Sequence, residues 1–144
     1  MVYMPYDDNE GEGIAKFEVI LYEKANGDCP LEEFLVSLDT KMRAKMVGLL
    51  ELLEEKGNAL REPYSKLIED GIFEIRCKVG SNITRVLYFF YFEGKIVLTN
   101  GFVKKTQKTP LVEIRVAKER RVDYKERMGN DENIKTIQRR TDEG

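Results

Sequence analysis

The sequence contains no histidine, so the side chain that most often serves as general base in enzymes is missing. Only two cysteines are present, Cys29 and Cys77, and they do not form a CxxC motif. We expect them to be reduced thiols of a cytosolic protein, with a disulfide between them as the alternative. The sequence therefore predicts neither a metal site nor a disulfide framework.

Long apolar runs are also missing. No segment approaches the about 20 apolar residues of a membrane-spanning helix. The N-terminus lacks the basic and apolar regions of a secretory signal. The 144 residues are 42% hydrophobic and 35% charged, which is the balance of one globular domain with a single core. We expect a cytoplasmic protein that does not contact a membrane.

The net charge of −2 conceals an uneven distribution. Residues 1–13 carry four acids and no base, whereas residues 64–128 carry fourteen bases and eight acids, a net charge of +6. Binding of a polyanion depends on the local patch rather than on the overall charge. We predict an acidic flexible tail over residues 1–13, a single domain with a basic half over 14–128, and a polar C-terminal tail over 129–144.

Short runs rich in Ile, Val, Phe and Tyr indicate β-strands. One run precedes a break at Asn26-Gly27, and three follow one another with short Gly-containing turns, which is typical of antiparallel hairpins. The middle run of those three is apolar on both faces and is predicted to be the central strand. The predicted strands are residues 16–23, 72–79, 83–92 and 95–103.

Apolar residues at helical spacing predict three helices. Pro30 begins the first helix, and Asp39 or Ser37 caps the second, which ends at Gly57. The pair Thr109-Pro110 marks the start of the third helix. The element order β-α-α-β-β-β-α predicts an α+β fold, with a mainly antiparallel four-stranded sheet, a helical hairpin over one face and a C-terminal helix.

Basic residues occupy strand positions that do not need to be charged in an ordinary sheet. Glu74, Arg76 and Lys78 alternate with apolar residues, so they share one face of their strand. Arg85 lies in the predicted central strand, where a guanidinium needs a partner or an anion. Either these cations form ion pairs and solvated loops, or they converge on a phosphate-rich ligand. Three further lysines follow the last strand: Lys104, Lys105 and Lys108.

Several segments also carry a resemblance. KLIEDGIFEIR, RVLYFFYFEGKIVLTNGFVKKTQKTP and the following EIRVA are similar, as a set, to the HigB-like phage-derived toxins of the RelE/ParE superfamily. The similarity spans residues 15–125. It implies a RelE-like fold and a toxin that cleaves translated mRNA on the ribosome without a metal or cofactor. It also implies a cognate antitoxin, usually a helix-turn-helix protein, that holds the toxin inactive in a hetero-oligomer.

The resemblance assigns roles to individual residues. Arg76 and Arg85 match two strand arginines, which suit the developing phosphorane charge because a guanidinium stays charged and binds phosphate bidentately. Lys105 and Lys66 match further basic positions and are expected to act as acid or electrostatic partner. The other lysines of the basic half are expected to guide the RNA backbone: Lys78, Lys104 and Lys108.

The sequence does not identify the general base. The available side chains are one carboxylate and three phenols: Glu74, Tyr64, Tyr88 and Tyr91. Of the two strand tyrosines only Tyr91 shares a face with Arg85, and packing is the expected role of both. Glu74 is expected to be either the base or the ion-pair partner of Arg76.

Two other functions remain as alternatives. One is a toxin of the ParE kind that poisons DNA gyrase by binding and does not cut nucleic acid. The other is a non-catalytic module that only pairs with a helix-turn-helix antitoxin. An RNase needs both Arg76 and Arg85 for phosphate chemistry, whereas a gyrase-binding toxin would tolerate the loss of either.

Overall fold

The computed structural model describes residues 17–104 and 108–143. This part of the chain contains five strands and three helices, so the predicted α+β class is confirmed. A short 3₁₀ turn, Gly57–Ala59, follows the second helix. The elements are β1 (Glu18–Leu21), α1 (Pro30–Ser37), α2 (Thr40–Lys56), β2 (Ser65–Glu69), β3 (Ile72–Val79), β4 (Asn82–Tyr91), β5 (Lys95–Lys104) and α3 (Leu111–Glu143).

The strands form one sheet in the order β1-β5-β4-β3-β2. β1 runs parallel to β5, and the other neighbours are antiparallel. β4 is central and buried along most of its length, as its apolar pattern predicted. An apolar strand with both faces covered therefore forms the middle of the molecule.

The prediction of four strands is wrong, because the edge strand β2 was missed. Most residues of its sequence, SKLIE, are exposed, so it lacks the apolar alternation by which strands are recognised. The sequence does contain a signal for this hairpin, which is the pair Asp70-Gly71 between β2 and β3. In the structure these two residues have φ angles of 50° and 75°, as a two-residue hairpin turn requires.

Each face of the sheet has its own core. The hairpin of α1 and α2 covers one face, as predicted, and α3 packs on part of the other. The buried residues under the hairpin are Leu31, Leu38, Met42, Met46, Leu53, Ile75, Cys77, Val86, Tyr88, Ile96 and Leu98. Those associated with α3 are Tyr22, Ile72, Leu87, Phe89, Val97, Phe102, Ala117 and Tyr124.

The two ends of α2 follow the predicted capping chemistry. The Asp39 side chain accepts a hydrogen bond from the Met42 N–H at 2.8 Å, which satisfies a free donor of the first turn. At the other end Gly57 has a φ of +54°, and its N–H donates to the Leu53 carbonyl. A Cβ atom at Gly57 would lie 2.0 Å from the Cε2 atom of the Phe17 ring. Both the backbone angle and the close approach therefore require glycine.

α3 is longer than the sequence predicted. The expected weakly patterned tail from residue 129 instead continues the helix to Glu143. This segment contains no proline, and its one glycine, Gly129, costs a helix only about 1 kcal/mol. Within residues 17–104 and 108–143, no helix is both long and apolar enough to cross a bilayer. The acidic tail predicted for residues 1–13 lies outside the described residues.

Replacing Gly57 with alanine should lower the free energy of unfolding by about 2–4 kcal/mol. A left-handed conformation costs an L-residue about 1–2 kcal/mol, and displacing the Phe17 ring adds an overpacking term. The control is Gly48→Ala, because Gly48 lies exposed within α2 with open space at its Cβ position. This control should raise the stability by about 1 kcal/mol. Urea unfolding followed by circular dichroism measures both; a Gly57→Ala protein as stable as wild type would contradict the assignment.

Candidate functional site

The pairing of β3 with its two neighbours brings four of the predicted site residues to one face of the sheet. Arg76 lies opposite Arg85 on β4, and Glu74 lies opposite Lys66 on β2. Directly opposed residues of antiparallel strands point to the same face. Ile72, two positions before Glu74, belongs to the core under α3, so this is the face on which α3 packs.

Glu74 lies at the centre of this arrangement. Its side chain is fully buried, and both carboxylate oxygens have partners. Oε2 accepts a hydrogen bond from Arg76 Nε, and Oε1 accepts one from the Thr109 hydroxyl. Oε2 also lies 3.9 Å from Arg85 Nε. Because neither oxygen faces solvent, the geometry favours the ion-pair role of Glu74 over the role of general base.

Arg85 is a buried member of the same cluster. Its side chain is 0% exposed, and one of its terminal nitrogens donates to the Lys108 carbonyl at 3.2 Å. Burial lowers the pKa of the Arg85 guanidinium, Glu74 opposes that shift, and Arg76 adds to it. A guanidinium remains charged under all these influences. Arg85 therefore links the sheet to the segment that precedes α3 and does not present a solvent-facing surface.

Arg76 is the guanidinium of the pair that reaches solvent. Its side chain is 24% exposed although Nε is bonded to the buried Glu74. Lys66, Lys78 and Lys108 are exposed. Lys78 shares the face of Arg76 because it lies two positions further along β3. Lys66 and Lys78 thus share the face of Arg76, and the convergence of all the cations stays a prediction. Lys105 and the side chain of Lys104 lie outside the described part of the chain.

The start of α3 is anchored to the same region. The predicted start at Thr109-Pro110 is displaced slightly, because the helix begins at Leu111 and the Thr109 hydroxyl is directed to Glu74. The Asn100 side-chain amide donates to a carboxylate oxygen of Glu113 at 2.9 Å and to its backbone carbonyl at 3.2 Å. These bonds fix the helix start beside the cluster. The roles of Thr109 and of the Lys108 carbonyl were missed because both contacts join elements distant in sequence.

The two strand tyrosines lie away from this cluster. Tyr88 faces the hairpin of α1 and α2, where its hydroxyl is bonded to that of Ser65 and burial raises its pKa. Tyr91 is on the face of Arg85 but six residues further along β4, which is about 20 Å away. Its ring packs against Tyr124. The predicted packing role is confirmed for both.

Tyr64 is the candidate phenol that does lie beside the cluster. Its backbone carbonyl accepts a hydrogen bond from the Arg76 N–H at 2.9 Å, which continues the β2–β3 pairing one residue beyond β2. Tyr64 therefore lies opposite Arg76. Its side chain is 46% exposed.

The arrangement is suited to an anionic ligand with several charges. One carboxylate against two guanidiniums leaves the buried cluster with a net positive charge. The Arg76 guanidinium is partly exposed, and the exposed Lys66 and Lys78 belong to strand positions on the same face. Because Glu74 fixes Arg76 before a ligand arrives, a phosphodiester would meet a pre-oriented donor.

Glu74→Gln should lower the free energy of unfolding by about 3–5 kcal/mol, because the buried Arg85 guanidinium and the partly exposed Arg76 guanidinium would both lose their counter-ion. The matched control is Glu69→Gln, which removes the charge from a surface pair with Lys118. That change should cost less than about 1 kcal/mol. Urea unfolding of both variants measures the difference. Equal losses would mean that the Glu74 cluster contributes no more than a surface ion pair.

Comparison with known proteins places the chain in a family. The family model for Phage derived protein Gp49-like (DUF891) matches residues 33–122, which include β2 to β5, Glu74, both arginines and the first part of α3. The comparison with curated proteins gives no match. The chain belongs to the Gp49-like phage-derived family, which is a family of RelE/HigB-like toxins.

Proposed function

We propose that this protein is the toxin of a type II toxin–antitoxin system and that it is an endoribonuclease that cleaves translated mRNA on the ribosome. The observation that carries the proposal is the position of Arg76. Its guanidinium is fixed by the buried Glu74 and is partly open to solvent among exposed lysines. Membership of a toxin family supports the biological role. Such toxins are usually paired with an antitoxin, which we propose to be a helix-turn-helix protein.

The proposed reaction uses the RNA itself as nucleophile. The ribose 2′-hydroxyl loses its proton to solvent and attacks the adjacent phosphate. The bond from phosphorus to the 5′-oxygen of the next nucleotide breaks, and that oxygen takes up a proton, so the products are a 2′,3′-cyclic phosphate and a 5′-hydroxyl. The developing charge on the phosphate needs a fixed cation, which Arg76 supplies. Lys66 lies opposite Glu74 on the same face, and we propose that it assists the leaving oxygen. The predicted role of Lys105 stays a prediction.

Arg85 has a different part in this proposal from the one expected from the sequence. Because its side chain is fully buried, it acts as a positioning residue and not as a phosphate ligand. It holds the Lys108 carbonyl and lies against Glu74. Arg85 thus fixes both the carboxylate that orients Arg76 and the segment that leads into α3. Lys78, Lys108 and Lys104 are proposed to guide the RNA backbone.

Induced expression of the wild-type protein in a bacterial host should arrest growth and produce new mRNA ends within translated frames. Arg76→Ala should lose both effects. Arg76→Lys retains a cation beside Glu74 but loses bidentate phosphate geometry, and cleavage should fall about 100-fold or more. The control is Lys95→Ala, which removes a cation at the opposite end of β5 and should cut like wild type. Growth curves and mapping of mRNA ends are the measurements.

Each result discriminates between the functions. An Arg76→Ala protein that cuts normally would refute the role of Arg76. Arrest without new mRNA ends would indicate a gyrase-type target, and no arrest with intact antitoxin binding would indicate a pure binding module. The thermal unfolding midpoints of all variants show whether a loss of activity comes from unfolding.

Binding of single-stranded RNA should weaken steeply as salt rises. With about four phosphate contacts, through Lys66, Arg76, Lys78 and Lys108, the affinity should fall on the order of 50-fold between 50 and 200 mM salt. Arg76→Ala should reduce the slope of log affinity against log salt by about 0.7, the share of one contact. Fluorescence anisotropy with a labelled oligonucleotide measures this slope. A flat response would count against phosphate contacts.

A further inference from the structure

We propose that Tyr64 is a stacking platform for a base of the RNA, next to the phosphate held by Arg76. The inference rests on the proposed function and adds a positioning residue to it. The starting observation is the register of the edge strand. The Arg76 N–H bonds to the Tyr64 carbonyl, so the two residues form a directly opposed pair at the open end of β2.

The backbone fixes the place of Tyr64 closely. The Tyr64 N–H and the Ser65 N–H both donate to the Arg61 carbonyl, each at 3.1 Å. Tyr64 therefore lies in a tight turn that leads directly into β2. Of the two hydrogen bonds that opposed residues can exchange, this pair makes only the one from Arg76, because the Tyr64 N–H bonds to Arg61. Residues opposed in this register point to one face of the sheet. Tyr64 therefore belongs to the same face as Arg76, Glu74 and Lys66.

The Tyr64 side chain is about half exposed. It is absent from both hydrophobic clusters, and no aromatic contact or hydroxyl hydrogen bond involves it within residues 17–104 and 108–143. By contrast, Phe73, Tyr88 and Phe90 pack closely on each other on the opposite face. Tyr64 is thus an exposed aromatic surface beside a phosphate-binding guanidinium.

This pairing has a clear chemical use. Single-stranded RNA is bound through cations that follow the backbone together with aromatic side chains on which unstacked bases lie. An arginine and an aromatic ring on opposed strand positions can hold a phosphate and its neighbouring base together. Stacking would fix the nucleotide whose 2′-hydroxyl attacks and so hold the reacting atoms in line. It needs the ring and not the hydroxyl.

Tyr64→Ala should weaken binding of a labelled single-stranded RNA oligonucleotide by about 5- to 150-fold, the range of a lost base–aromatic stack. Tyr64→Phe should bind within about twofold of wild type. The control is Phe92→Ala, because Phe92 is 68% exposed but lies at the far end of β4; it should bind like wild type. Fluorescence anisotropy at several salt concentrations measures all four proteins.

The salt dependence separates stacking from a general structural defect. Tyr64→Ala should keep the wild-type slope because no phosphate contact is lost, whereas Arg76→Ala reduces it. Unchanged affinity in Tyr64→Ala, with the slope still reduced in Arg76→Ala, would overturn the stacking role and leave the proposed function standing. Equal losses in Tyr64→Phe and Tyr64→Ala would assign the role to the hydroxyl and overturn stacking. A wild-type protein that binds no free RNA would overturn the stacking role, whereas the proposed function is refuted separately, by growth arrest without new mRNA ends.

Discussion

A single buried carboxylate, Glu74, holds together the elements that meet at this end of the sheet. It bonds to Arg76 on its own strand and to Thr109 ahead of α3, and it lies beside Arg85 on the central strand. An uncompensated charge at this depth would cost several kcal/mol, so each partner depends on the others. The position of the α3 start and the orientation of Arg76 are thus set by one electrostatic constraint.

Stability alone does not account for this cluster. Replacing a buried ion cluster by apolar residues of similar volume is often neutral or stabilising, because desolvation of the charges is so costly. The opposite face of the sheet is built in that way, with apolar side chains under α1 and α2. Gly101 allows the Phe34 ring to pack against β5 there, where a Cβ atom would lie 2.6 Å from it. One face therefore supplies stability, and part of the other carries fixed charge.

Much of the fold could be predicted from local patterns. The alternation of apolar and charged residues predicted β3 and the shared face of Glu74 and Arg76. The continuous apolar sequence of β4 predicted that this strand is central. β2 was not predicted from the sequence, because an exposed edge strand has no buried side and therefore shows no alternation of apolar and polar residues. The end of α3 was misplaced because the polar residues from 129 onward lack the apolar spacing by which a helix is recognised.

The chemistry of the site was harder to predict because it depends on contacts between distant segments. The i, i+2 spacing of Glu74 and Arg76 allowed an ion pair to be foreseen, but nothing in the sequence near Thr109 or Lys108 indicates that they reach the sheet. Those contacts separate the roles of two arginines that look alike in sequence. Arg85 is enclosed on every side and contacts Glu74 and the Lys108 carbonyl, whereas Arg76 lies at the rim of the cluster and is partly exposed. In the proposed function, burial therefore matters more than residue type in deciding which guanidinium acts on a phosphate.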